Sequence, residues 1–169
     1  MLIETERLVL RQLQRSDAAF MLALLNSQGF LDNIGDRGVR TLAQASDHIA
    51  NGPMASYAEF GFGLYRVELK PTGEVIGSCG LIKRPTLADV DIGYAFLPQY
   101  AGKGYALEAA KATLDHARAL GLARLVAIVN PQNLASKAIL ARLGLGFEGY
   151  WRHSPEAPEI ELHSICLTC

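Results

Sequence analysis

The sequence lacks a charge excess of either sign: among its 169 residues, 16 basic residues nearly balance 17 acidic ones, for a net charge of −1. Proteins that bind nucleic acid or an anionic membrane through their general electrostatic field need a basic excess, so we expect neither partner. No apolar run is long enough to span a bilayer. The start, MLIETERLVL, carries Glu4 and Glu6 where a secretory signal would need a basic end and then an apolar core. We therefore expect a cytoplasmic protein.

Cysteine is also scarce, with three residues in the whole chain. An odd number cannot all pair internally, which suits a reducing compartment. Cys166 and Cys169 form a C-x-x-C near His163, but no second ligand pair stands elsewhere at zinc-site spacing. We expect no metal, and ordinary packing at the end of a last strand. Cys79 has no adjacent base, so a buried structural role is favoured over a role as a covalent nucleophile.

Half of the residues are hydrophobic, and the length suits one domain, residues 1–169, with a proper core. Ser16 and the capping box Thr41-x-x-Gln44 predict helix starts, and Pro53 predicts the end of the second helix. The polar segment 29–40 between them is interpreted as a loop. Apolar periodicity and turn residues predict helices at 16–26, from 41 to before 53, 105–120 and 134–143, and strands at 7–12, 60–69, 74–84, 89–97, 124–129, 146–151 and 159–167.

The order strand 89–97, helix 105–120, strand 124–129 predicts a parallel, right-handed crossover between the fourth and fifth strands. The other connections favour antiparallel pairing, so the fold class is α/β (α+β), with a mixed, mostly antiparallel sheet and helices on both faces. Pro98 and Pro131 follow the two parallel strands. Because proline has no N–H for the ladder, these ends should splay and form a ligand cleft.

A glycine-bearing loop connects the fourth strand to the long helix. The first four N–H groups of a helix have no internal partner, and the helix dipole places positive partial charge there. Glycines remove side chains that would keep an anion away from these groups. The loop is therefore a candidate phosphate cradle, and its residues are Ala101, Gly102, Lys103, Gly104, Tyr105 and Ala106.

Two common phosphate motifs do not fit this loop. A P-loop needs Lys-Ser/Thr after its second glycine, where Tyr105 and Ala106 stand instead. A dinucleotide fingerprint would need a third glycine where Leu107 stands, and no acidic residue closes the following strand.

A third pattern does fit. The order GYAFLP, AGKGYA, then Asn130, Asn133-Leu134-Ala135-Ser136 and Leu143-Gly144-Leu145 resembles the GNAT superfamily of acetyl-CoA-dependent N-acetyltransferases. The likeness is greatest to the branch of ribosomal-protein N-terminal acetyltransferases, and it extends from TERLVLR at residues 5–11 to the final strand.

The resemblance implies a binding mode for acetyl-CoA. The pyrophosphate loop of the family, Q/R-x-x-G-x-G/A, falls on residues 101–106, so Ala101 replaces a residue with a polar side chain. Lys103 is a candidate compensating cation. The pantetheine arm is expected between the splayed strands, against Phe96 and Leu97, and Asn133 is expected to contact the cofactor. Gly93 is a candidate bulge that opens the splay.

The resemblance and the chemistry together suggest two catalytic residues. Asp91 is the candidate base, acting through water, with Asp89 as an alternative on the same strand face. Ser136, in the first turn of its helix, is the candidate that protonates or hydrogen-bonds the departing sulfur and also contacts the cofactor. Many relatives use a tyrosine one turn further along, near Leu140, so that route is absent here.

The expected function is acetyl transfer from acetyl-CoA to a primary amine by direct attack in a ternary complex. The acceptor is a protein N-terminus or a small-molecule amine, held by segments 29–40, 57–60 and 152–159, where Asp32, Asp36 and Glu59 could attract a cationic amine. The alternative is a non-catalytic acyl-CoA-binding module, favoured by Ala101 and the missing tyrosine. The protein would be a monomer or a homodimer.

Overall fold

The computed structural model describes residues 2–169, so Met1 of the predicted domain lies outside the described residues. Within that range eight strands form one sheet, in the order β1-β2-β3-β4-β5-β6-β8-β7. Every neighbouring pair is antiparallel except β5 and β6, which are parallel, so the predicted mixed sheet is confirmed. The strands are β1 (Leu2–Glu4), β2 (Leu8–Gln12), β3 (Leu64–Leu69), β4 (Val75–Ile82), β5 (Asp91–Phe96), β6 (Arg124–Val129), β7 (Gly146–Trp151) and β8 (Ile160–Cys166).

Helices cover both faces of this sheet, as predicted. They are α1 (Ala18–Leu25), α2 (Gln28–Asn33), α3 (Leu42–Ile49), α4 (Ala55–Phe60), α5 (Tyr105–Ala119) and α6 (Leu134–Leu143). Ile92 and Tyr94 of β5 pack in the cluster that contains α5 and α6, whereas Ala95 packs in the cluster that contains α1 and α3. Successive strand residues point to opposite faces, so the two clusters lie on opposite sides of β5.

Helix α5 packs against the sheet through small residues. Its buried positions are Ala109, Ala110, Thr113, Leu114 and Ala117, which repeat at helical spacing along one face. Short side chains allow the helix axis to approach the strands closely, so the start of α5 is held at a fixed place beside the end of β5.

The first third of the chain departs most from prediction. Segment 29–40 is not wholly a loop, because α2 occupies its beginning. Ser16 does not cap α1; a 3-10 turn precedes the helix, and the Asp17 carboxylate accepts from the Gln14 amide (2.9 Å) and pairs with Arg66 (2.6 Å). The distant arginine fixes Asp17 and thereby the helix start.

The second predicted helix does begin at Thr41, whose hydroxyl accepts from the Gln44 amide at 3.1 Å. It does not stop before Pro53, however. A π-helical turn, Ala50–Met54, contains this proline and leads directly into α4. The wider π turn accommodates a residue that has no N–H, so the chain stays helical to Phe60 and β3 starts later than expected.

The C-terminal cysteines are bonded to each other. The chain leaves β8 at Cys166 and turns so that the Cα atoms of Cys166 and Cys169 lie 5.7 Å apart, joined by a disulfide. Our expectation of ordinary packing was wrong for this pair, because a C-x-x-C just beyond a strand end can fold back on itself. Cys79 remains free and buried.

Candidate active site

Strands β5 and β6 separate almost as soon as they meet. They share one paired position within residues 2–169, Asp91 opposite Val126, next to a hydrogen bond of 3.0 Å from the Val126 amide to the Val90 carbonyl. Towards their carboxyl ends no further residues pair, which produces the predicted splay.

Gly93 is not a bulge, since β4 and β5 stay in register through it. A Cβ there would stand 2.9 Å from Ile82 Cδ1, so a larger residue would displace the end of the Ile82 side chain.

The backbone of β5 presents alternate residues to the opening. Leu97 donates its N–H to the Ile76 carbonyl of β4 (2.9 Å), and its own carbonyl accepts from Tyr100 (3.0 Å). Polar groups alternate sides along a strand, so the N–H and C=O of Phe96 face away from β4, into the splay. Phe96 thus has a backbone edge free for a ligand, whereas Leu97 has no free amide to offer.

The loop after β5 ends in unpaired donors. Gly102 (φ +76°) and Gly104 (φ +82°) have left-handed conformations, which turn the backbone into the first residue of α5. None of the amides from 102 to 107 donates a hydrogen bond within residues 2–169. A Cβ at Gly102 would have no atom of residues 2–169 within 4 Å, so none of the described residues covers this position. Such a set of amides at a helix start suits a phosphate or diphosphate.

Ser136 lies where α6 begins, on the same side of the sheet as α5. Asn133 caps this helix by accepting from the Ser136 amide at 3.2 Å. The Ser136 hydroxyl is 2.8 Å from the Tyr94 hydroxyl of β5, and Tyr94 also donates to the Ser136 carbonyl at 3.2 Å. Burial raises the pKa of Tyr94 to about 12, so it stays a neutral hydroxyl. Leu140 is buried in the core.

Tyr94 is a candidate site residue that sequence reasoning missed. It brings a phenol hydroxyl to within 2.8 Å of the Ser136 hydroxyl from β5. The signal available in the sequence was its parity with Phe96, which puts both side chains on the face opposite Asp91.

Asp91 lies on the other face of β5 and is 1% exposed. Arg84 donates through Nε to Asp91 Oδ1 at 3.1 Å. Burial nevertheless raises the pKa of Asp91 to about 6, because the loss of hydration outweighs the attraction of Arg84 and Lys83. A carboxylate of this kind accepts protons near neutral pH. Asp89 instead pairs with Arg124 (2.9 Å) just before the strand.

The splay of the parallel pair and the helix start with free amides thus lie together beyond the carboxyl end of β5, and the buried carboxylate of Asp91 lies at the opposite end of the same strand. The family model described as acetyltransferase (GNAT) domain matches residues 7–146 of the chain. The chain belongs to the GNAT acetyltransferase family. It is accordingly an acyltransferase, and the resemblance seen in the sequence is confirmed.

Individual GNAT relatives cover nearly the whole chain. The Bacillus subtilis (strain 168) protein named N-acetyltransferase YoaA is 30% identical over 155 residues, which span 89% of this chain and 86% of YoaA. An acetyltransferase structure from Agrobacterium tumefaciens str. C58 is 30% identical with a TM-score of 0.81, covering 98% of this chain and 94% of that one. RimL, a ribosomal L7/L12 α-N-protein acetyltransferase solved with coenzyme A, shares the fold at a TM-score of 0.83 and 18% identity, covering 98% of both chains.

Two residues of the segments predicted to hold the acceptor have partners within the chain. Tyr57 turns inward: its ring stacks on Tyr65 at 5.5 Å, and its hydroxyl bonds the Leu13 amide and the Leu64 carbonyl. Asp36 pairs with Arg40 at 2.5 Å, which neutralises one of the carboxylates expected to attract an amine.

Other chemistries have little support in this GNAT structure. Cys79 lies 3.2 Å from the Thr113 hydroxyl, and burial raises its pKa to about 12, so it is not a nucleophile. No group of three or more potential metal ligands occurs in the part of the chain from residue 2 onward. Over the same part, no helix combines the length and the apolar character needed to cross a membrane.

Proposed function

We propose that this GNAT protein transfers an acetyl group from acetyl-CoA to a primary amine by direct attack within a ternary complex. The observation that carries the proposal is the splay of β5 and β6 directly beside the unpaired amides of residues 102–107. Acetyl-CoA supplies the activated acetyl thioester.

The chain's own residues suit the diphosphate and the pantetheine arm of that molecule. The amides of Gly102, Gly104 and their neighbours are placed to bind the diphosphate, with Lys103 as a mobile cation nearby. Phe96 offers backbone groups that an amide of the pantetheine arm can pair with, as an added strand would. Asn133 and Ser136 stand at the start of α6, on the side of β5 where Tyr94 and Phe96 point.

Asp91 acts as the base in this proposal. Its pKa of about 6 leaves it about nine-tenths ionised at pH 7, while an α-amine is about one-tenth neutral at that pH. A proton that leaves the amine can therefore pass to Asp91. Because the carboxyl is 1% exposed, it receives the proton through an intervening water.

Ser136 serves the departing sulfur from the opposite face. The hydroxyl is already oriented by Tyr94 at 2.8 Å, and the N-terminus of α6 favours negative charge. A thiol has a pKa near 8.5, so it leaves with little help, and the gain from Ser136 should be modest.

The acceptor is a peptide N-terminus or a small-molecule amine. RimL shares the fold and is named for an N-terminal protein substrate, which supports including peptides in any search. Segments 29–40 and 152–159 are proposed to contact the acceptor. We further propose that the protein is cytoplasmic and a monomer or homodimer.

Thiol release from acetyl-CoA, measured over a panel of amines and N-terminal peptides, tests this function. Release with at least one acceptor, together with acetylation of that acceptor by mass spectrometry, is the expected result. Cofactor binding without release on any acceptor would favour a non-catalytic acyl-CoA-binding module. Absence of cofactor binding would overturn both.

A further inference from the structure

Arg7, just before β2, reaches across to the start of α5. Its Nε donates to Glu108 Oε1 at 2.7 Å, and its Nη1 donates to the Lys103 carbonyl at 3.0 Å. The guanidinium carbon lies 4.5 Å from the centroid of the Tyr105 ring. Three contacts thus hold one flat cation against the loop that carries the unpaired amides.

One nitrogen of this guanidinium, Nη2, has no hydrogen-bond acceptor among the described residues. It stands 3.3 Å from the position that a Cβ of Gly104 would take. The Arg7 side chain is 43% exposed, so a ligand can reach it. At Ala101, the first residue of the loop, the methyl side chain has no hydrogen-bonding capacity.

We propose that Arg7 is a cofactor-binding residue whose Nη2 donates to the diphosphate of acetyl-CoA. The inference rests on the proposed function, since it needs the diphosphate at the amides of residues 102–107. Glu108 offsets much of the positive charge of Arg7, so the contribution is a directed hydrogen bond more than a field. Because the fork is already ordered by Glu108 and Lys103, little side-chain entropy is lost on binding.

The affinities of Arg7→Ala for coenzyme A, dephospho-coenzyme A and pantetheine separate this role from a structural one, and calorimetric titration measures the first two. Loss of a charge-assisted hydrogen bond should lower the affinity for both diphosphate-containing ligands, coenzyme A and dephospho-coenzyme A, by about tenfold or more and to the same extent. Pantetheine, followed by NMR titration at millimolar concentration, should bind the variant as it binds the wild type. Lys111→Ala is the control, because it removes a positive charge from the exposed face of the same helix.

The phosphorus spectrum gives a second, direct measurement. In saturated complexes, the diphosphate resonances of bound coenzyme A should differ between wild type and Arg7→Ala, while the 3′-phosphate resonance should not. Arg7→Lys keeps the charge without the fork and should recover part of the affinity. Urea unfolding of each variant shows that the fold is intact.

Three results would overturn the assignment. An equal loss of affinity for all three ligands would mean that Arg7 has only a structural role, in holding β2 against α5. Weakening for coenzyme A but not dephospho-coenzyme A would place the contact at the 3′-phosphate. Unchanged affinity and spectra would mean no contact at all. If the wild type itself failed to bind coenzyme A, the proposed function would fail first, which is a separate outcome.

Discussion

Replacing Asp91 by asparagine should change how stability depends on pH. The pKa of Asp91 is about 6 in the folded protein against 3.8 ordinarily, because the carboxyl is buried. A raised pKa in an acid means that folding favours the neutral form. Its stabilising contribution is therefore complete below pH 3.8 and is lost as the pH rises through 6. The side-chain amide of the Asp91→Asn variant cannot ionise, so the variant lacks this loss.

The magnitude follows from the difference of about two pKa units, each about 1.4 kcal/mol, or about 3 kcal/mol in total. About 2 kcal/mol of this should be lost between roughly pH 4.5 and pH 7.5. Urea unfolding of wild type and Asp91→Asn across that range measures it directly. Relative to the variant, the wild type should lose stability as the pH increases.

Two outcomes would refute this reasoning. A constant difference between the two proteins would mean that Asp91 ionises as a solvated carboxyl does. A wild type that gains stability over the variant with rising pH would mean that the pairing with Arg84 outweighs burial. Asp89→Asn is the matched control. It removes an equal charge two residues before Asp91, and the Asp89 side chain is 37% exposed.

Turnover of the same variant tests the catalytic role. The loss should be greatest between about pH 6 and pH 8, where Asp91 is ionised and an α-amine is still largely protonated. It should shrink above that range, where the amine is already neutral, and below it, where Asp91 of the wild type is itself protonated. A loss that is independent of pH would point to structure instead.

Three further outcomes are expected. Gly104→Asp should abolish cofactor binding measured by calorimetry, because a carboxylate would meet the diphosphate. Gly121 has the same φ of +82° and lies beyond the other end of α5, so Gly121→Asp should retain cofactor binding. A loss of binding in both variants would implicate backbone strain. Ser136→Ala should reduce kcat by roughly a hundredfold or less, and Tyr94→Phe by less than that, since it acts through the serine; full activity of Ser136→Ala would remove the hydroxyl from the mechanism. Cys79 should resist alkylation at pH 8 until the protein unfolds, as followed by mass spectrometry, and rapid labelling of the native protein would contradict its burial.

Local signals predicted the second half of the fold well. Strand 124–129, helix 134–143 and strand 146–151 were predicted with the observed bounds. Each is delimited by a residue with a local mechanism, such as Asn133 capping α6 or Gly144 ending it in the left-handed region. The start of α5 after the loop of residues 101–106 was predicted for the same reason, since its glycines mark the turn locally.

Features that depend on distant partners were not predictable in this way. Tyr94 and Ser136 are 42 residues apart, and only the packing of α6 beside β5 brings their hydroxyls together. The near-complete burial of Asp91 likewise depends on packing around β5 that local sequence signals do not encode. Arg7 carried no signal of its own, because its partners lie on α5 and on the loop before it.

The single paired position between β5 and β6 divides the eight-stranded sheet into a five-strand part and a three-strand part. Backbone contact across the boundary is minimal, so the junction depends on side chains and on whatever enters from the open end. A molecule that lies along Phe96 in the gap would add cohesion between the two parts. Its binding free energy would then also appear as resistance to unfolding, concentrated at this boundary.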